Sequence, residues 1–198
     1  YAYQQAYKLD APGHEACPSV IRILGDSMLA SPTHRDSGIV FLREELGKGL
    51  EFGWAGRRLA DVFSSQERHV EGLFCLDAAL ARDPQSAILR YRKGVMLFDM
   101  YRLESAKKIL SPLVDHELVG VYAKEHLLRC HLLSRDVPMA SKLSRELLAI
   151  ENADAQQKAL YQNLAEQVTR GDLSVVDCYS VLRGHKSIKV RIGVLGQL

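Results

Sequence analysis

The sequence predicts an all-α chain of stacked helical hairpins, and three observations carry that expectation. Ala60 to Gly94 and Gly94 to Leu128 are each separated by 34 positions. Gly72, Ala106 and Ala140 form a second, independent set at the same interval of 34. Apolar residues elsewhere follow helical spacing, in a chain that is 47% hydrophobic and 25% charged, as folded chains ordinarily are. A repeat of this length is one helix pair that cannot bury its apolar face alone and stacks on its neighbours.

Taken in order, residues 3–12 read as the last turns of a helix, with Leu9-Asp10-Ala11-Pro12 mirroring Ala81-Arg82-Asp83-Pro84. Residues 19–30 and 37–46 form a helical pair around a turn at 31–36 that carries Pro32. Gly25 in the first of these is a packing glycine, 35 positions before Ala60. The strongest units are 53–86, 87–120 and 121–154. In each, small residues (Ala60 and Gly72, then Gly94 and Ala106) let two helix backbones approach. Leu59, Phe63, Leu76, Leu97 and Leu110 fill the surrounding space. Pro84 stops its helix and biases the residue before it away from helical geometry. In the third unit Leu128 takes the small site and Ser144 the large one, a departure from the pattern. Residues 155–169 read as a further helix with Ala159, Leu160 and Leu164 on its apolar stripe. The last helix starts at Asp172 and stops at Gly184, with Val175, Cys178, Tyr179 and Leu182 on one face.

The interval, with the order of small and large residues ending at Pro84, resembles the tetratricopeptide (TPR) repeat family. The resemblance covers residues 1–184, strongly over the middle half, and implies an α-solenoid with an extended concave face. Residues 185–198 differ. Ile188, Val190, Ile192 and Val194 alternate with polar or small residues, the two-residue period of a strand. This end is similar to the start of the α/β domain that follows TPR repeats in nucleotide-sugar-dependent glycosyltransferases. A frayed tail is the plainer alternative.

Formal charge is +2, which forces neither a nucleic-acid nor an anionic-membrane partner. No apolar run reaches the roughly 18 residues of a membrane span, and the start has no secretory pattern. Cys17, Cys75, Cys130 and Cys178 are scattered, which fits buried thiols in a reducing, cytoplasmic compartment better than a disulfide framework.

No catalytic, cofactor-binding or metal-binding set is expected. His126 and Cys130 stand four apart on one helix, but a zinc site needs more ligands than these two. Glu44, Glu45, Asp61 and Glu67 read as solvated helix faces, lacking the paired spacing of acid–base catalysis. Gly25-Asp26-Ser27 has no strand–turn–helix context for a nucleophile.

What remains is the concave face. By frame, the TPR resemblance implies that Trp54, Arg57 and Asp61 of the first strong unit line it. Tyr91, Val95 and Phe98 follow from the second, with Ile88 and Asp99, and Glu125 and Arg129 from the third, with Tyr122 and Leu132. Tyr91 and Phe98 could equally pack between neighbouring repeats. The Lys and Asn of the family's carboxylate-clamp subset are absent. The expected function is therefore a protein-interaction scaffold whose groove binds a peptide or partner subunit through apolar anchors. The alternative is the accessory TPR region of a glycosyltransferase whose catalytic domain lies beyond residue 198. A chaperone of secreted bacterial proteins is a third possibility, although the chain has more helices than such proteins need.

Overall fold

A computed structural model describes residues 18–49, 51–149, 159 and 162, and within them the protein is all-α, with no strand. Its helices are α1 (Pro18–Ala30), α2 (Arg35–Lys48), α3 (Phe52–Ser65), α4 (His69–Arg82), α5 (Ala87–Asp99), α6 (Leu103–Leu110), α7 (Gly120–Leu133) and α8 (Val137–Leu148). A 3-10 turn, Ser111–Leu113, continues α6. The helices expected over 3–12, 155–169 and 172–184, and the alternating segment 188–194, lie outside the described residues, apart from 159 and 162.

The chain divides into two compact units, residues 1–85 and 86–198. In the first, α1 packs on α2 and α3 on α4, while α2 also touches both α3 and α4. Ile21, Leu24, Leu42, Leu59, Phe63 and Leu76 are buried there. The second repeats the arrangement: α5 packs on α6 and α7 on α8, with α7 also against α5 and α6. Neighbouring helices joined by turns of a few residues run antiparallel, so each pair is a helical hairpin. One carboxylate departs from its expected place. Glu45 is buried, because Leu42, Glu45 and Leu46 share the inward face of α2.

The turns that close three of the hairpins are the same structure. Glu67, Tyr101 and Arg135 adopt left-handed backbone with φ of 59°, 58° and 55°, and they stand 34 positions apart. In each turn the amide one residue later reaches back five positions to a carbonyl. Arg68 N–H donates to Phe63 O at 2.8 Å, Arg102 to Leu97 O at 2.8 Å, and Asp136 to His131 O at 2.9 Å. A bond reaching back three positions accompanies each, as from Tyr101 N–H to Phe98 O at 2.8 Å. This is the Schellman motif, which satisfies carbonyls that a helix end otherwise leaves unpaired. Glycine usually holds its left-handed position, yet Glu, Tyr and Arg stand here, so sequence reading had no glycine to mark the turns.

The two residues that this motif brings together have changed as pairs. In α3–α4 they are Phe63 and Arg68, whose guanidinium lies 4.7 Å from the ring centroid. In α7–α8 they are His131 and Asp136, joined Nδ1 to Oδ2 at 2.9 Å. A polar residue at an otherwise apolar buried position thus has its partner supplied by the turn.

The helix contacts within the hairpins rest on paired volumes. A Cβ at Gly94 would lie 2.5 Å from Leu110 Cδ2 and 2.6 Å from its Cγ. Leu110, rather than the expected Ala106, therefore fills the space opposite Gly94. In the first unit a close approach lies one turn before Ala60, at Gly56. A Cβ at Gly56 would meet Ala79 Cβ at 2.7 Å and Cys75 O at 3.2 Å. In the third hairpin large and small have exchanged places. Leu128 stands 34 positions after Gly94 and Ser144 34 after Leu110, and both are fully or almost fully buried. Ser144 Oγ donates to Ala140 O at 2.8 Å, so its hydroxyl is satisfied within its own helix.

Gly94→Leu is expected to cost about 1–3 kcal/mol in a denaturant melt. Adding Leu110→Ser should recover part of that loss, because it copies the exchange already present at Leu128 and Ser144. A double-mutant cycle with no coupling between the two positions would contradict this packing. Glu67→Gly should raise stability by roughly 1 kcal/mol, since glycine carries no left-handed penalty there.

Candidate partner-binding face

The second unit brings α5 and α7 side by side and presents an aromatic face. Ile88 and Tyr91 are one turn apart on α5, while Leu118 lies in the turn just before α7 and Tyr122 in the first turn of that helix. Tyr122 is 56% exposed and Leu118 64%, large values for apolar or aromatic side chains. The Tyr91 and Tyr122 rings lie 6.2 Å apart at a 48° tilt, within the usual range for an aromatic pair.

His126 organises this face. Its ring meets Tyr91 edge-on at 5.5 Å and Phe98 at 5.9 Å. Its Nδ1 lies 3.0 Å from the carbonyl oxygen of Tyr122 and 3.3 Å from the Tyr91 hydroxyl. A carbonyl oxygen can only accept, so the proton sits on Nδ1 and the phenol oxygen is its second acceptor. The hydroxyl hydrogen of Tyr91 is then left to donate elsewhere. Burial pushes the Tyr91 phenol up to about 12, with the charges of Arg92 and Arg129 opposing that rise and Glu125 adding to it. Tyr91 therefore remains a neutral donor over the whole physiological range.

Several expected groove residues are placed differently. Phe98 is fully buried and Leu132 nearly so, which makes them packing residues with no surface for a partner. For Phe98 the packing alternative holds, since its ring lies against His126 of the next hairpin. Val95 is half-buried on the same stripe of α5 as Tyr91, and Glu125 and Arg129 are half-buried on α7. Arg129 makes no hydrogen bond or ion pair with a described residue.

No family model and no curated protein matches this chain.

In the first unit, Trp54 is half-buried and packs on α1. Its Cη2 would stand 2.8 Å from a Cβ at Gly25, so that glycine makes room for the indole. Asp61 lies 4.0 Å from Arg58 Nη1, and Arg58 Nη2 is 2.7 Å from Asp26 Oδ1. Glu51 Oε2 takes Arg22 Nε at 2.6 Å. Arg57 is half-buried and makes no ion pair with a described residue. Of these three expected residues Trp54 packs α3 on α1, and Asp61 pairs within α3.

His126 and Cys130, which stand four apart on α7 and were not expected to form a metal site, have different surroundings. The structure separates them, with His126 turned to the tyrosines and Cys130 fully buried. Burial pushes the Cys130 thiol up to about 12. Among the described residues no group of three or more His, Cys, Asp or Glu could hold a metal ion. The signal for His126 was its place four residues after Tyr122, but the role needed Tyr91 from another helix.

Two outcomes follow at alkaline pH. Tyr91 ionises near 10.0 in the unfolded chain and near 12 when folded. Between those values the unfolded state releases a proton that the folded state keeps, so stability falls as pH rises. Tyr91→Phe should flatten that part of the decline in denaturation midpoints measured across the range. Cys130 should resist iodoacetamide at pH 8 until denaturant is added, as peptide mapping by mass spectrometry would show.

Proposed function

We propose that this chain is a TPR-like helical scaffold that binds a peptide or a segment of a partner subunit. The binding face is the part of the second unit formed by Ile88, Tyr91 and Tyr122. The observation that supports this reading most directly is the exposure of Tyr122 beside a tyrosine and histidine cluster already fixed by packing. An aromatic ring held in place loses little conformational entropy on contact, which is why tyrosine is frequent among the residues that dominate interfaces. The recurring left-handed turn at 34-residue intervals supports the repeat part of the reading. Two helices whose outer stripes carry apolar anchors suit an extended or short helical ligand.

A peptide array probed with the intact chain and with Tyr122→Ala tests this. Tyr122 is exposed, so its removal should leave the thermal melt almost unchanged while weakening binding by about 2 kcal/mol. Equal binding by both proteins would place the interaction elsewhere.

A further inference from the structure

We infer that the outer face of α2 and α4, in the first unit, binds a second copy of this chain about a two-fold axis, setting Val40 on Phe74 and Arg43 on Asp77. Phe74 is 75% exposed, Val70 67% and Val40 56%, and all three belong to these two helices. Val70 and Phe74 are one turn apart on α4, and Val40 stands 34 positions before Phe74. The fold does not require apolar residues there. The next two positions at that interval are Lys108 and Lys142, both exposed. Lysine is an ordinary occupant of an outward helix position, so valine and phenylalanine in its place mark a contact surface.

The interval also fixes how the two helices are turned. Gly38 and Gly72, Leu42 and Leu76, and Glu45 and Ala79 are pairs 34 apart, and every one of these residues is buried. The helices therefore turn equivalent faces inward and equivalent faces outward. Each is joined to α3 by a short turn, one before it and one after, so α2 and α4 run in the same direction. They touch, and the charge of Arg43 on α2 acts on Glu71 and Cys75 of α4.

Charge selects the occupant. Arg43 and Asp77, both exposed, are again 34 apart and lie one turn after Val40 and Phe74. One ridge thus carries valine then arginine, and its neighbour phenylalanine then aspartate. A two-fold axis along the helices exchanges the ridges. Val40 then meets Phe74 of the second copy, Arg43 meets Asp77 of the second copy, and each contact is made twice. A partner of one sign suits only half of this face, and an anionic membrane would meet Asp77 with like charge. Two helices of 14 residues give a face roughly 20 Å by 20 Å. That is smaller than the about 800 Å² per partner of a standard interface, so association is reversible and depends on concentration.

The test is analytical ultracentrifugation of the full chain over a wide range of concentration. The mass should rise from 22.1 kDa towards twice that value as concentration increases. Phe74→Glu should weaken association about ten-fold or more while leaving the thermal melt in place, because the ring is exposed. Arg43→Glu and Asp77→Lys should each stay monomeric, since each sets like charges against one another. An equimolar mixture of those two variants should dimerise, because every charged contact of the mixed pair joins opposite signs. Arg43 also lies 5.5 Å from the Phe63 ring centroid, so melts are recorded for all variants. Phe74→Glu and Asp77→Lys alter exposed side chains and decide the question even where Arg43→Glu melts early. A mass of 22.1 kDa at every concentration would overturn the proposal and leave this face to a different protein. Self-association unchanged in Phe74→Glu, or folded charge variants that stay monomeric when mixed, would overturn it as well.

Discussion

The left-handed turn between paired helices is the constraint on which the rest of this structure depends. Fixing the turn fixes where the second helix begins, and hence which of its residues face the first. The bonds from Arg68, Arg102 and Asp136 back to Phe63, Leu97 and His131 impose the same register on three hairpins. That register sets Leu110 opposite Gly94 and leaves the outer stripes of α5 and α7 to solvent. Non-glycine residues at the left-handed positions store some local strain, which the buried contacts of each hairpin offset.

Those contacts work by paired volume more than by any particular residue. Gly94 and Leu110 in one hairpin, and Leu128 and Ser144 in the next, fill equivalent positions with the sizes exchanged. Close packing tolerates this exchange, because what a core resists is a change in summed volume at a fixed backbone separation. The ion pairs of the first unit are a smaller contribution. Arg58 with Asp26 and Arg22 with Glu51 are largely solvated on at least one side, and such pairs stabilise by about 0–1 kcal/mol. They orient α3 against α1 around Trp54 without supplying most of the stability.

A repeated frame with varied outward chemistry explains why the aromatic face arises where it does. Arg57, Tyr91 and Glu125 occupy the same frame position at successive intervals of 34, as do Asp61, Val95 and Arg129. The fold demands little of these positions, so they are available for recognition. In the second unit neighbouring helices bring together two tyrosine rings and a histidine that both contact. Binding chemistry on such a scaffold resides in the site, and the fold alone does not specify it.

Much of this was legible in the sequence. Helical periodicity, the 34-residue interval and the stop at Pro84 led to hairpins close to those observed. Tertiary structure decided which member of each pair faced which. Leu110 rather than Ala106 opposes Gly94, Glu45 turns inward, and Phe98 is core. It also decided the role of His126, which depends on Tyr91 from another helix. Spacing along one chain specifies which residues share a helix face. The rotation of one helix against the next comes from turns whose left-handed residues, Glu67, Tyr101 and Arg135, carry no mark of their conformation.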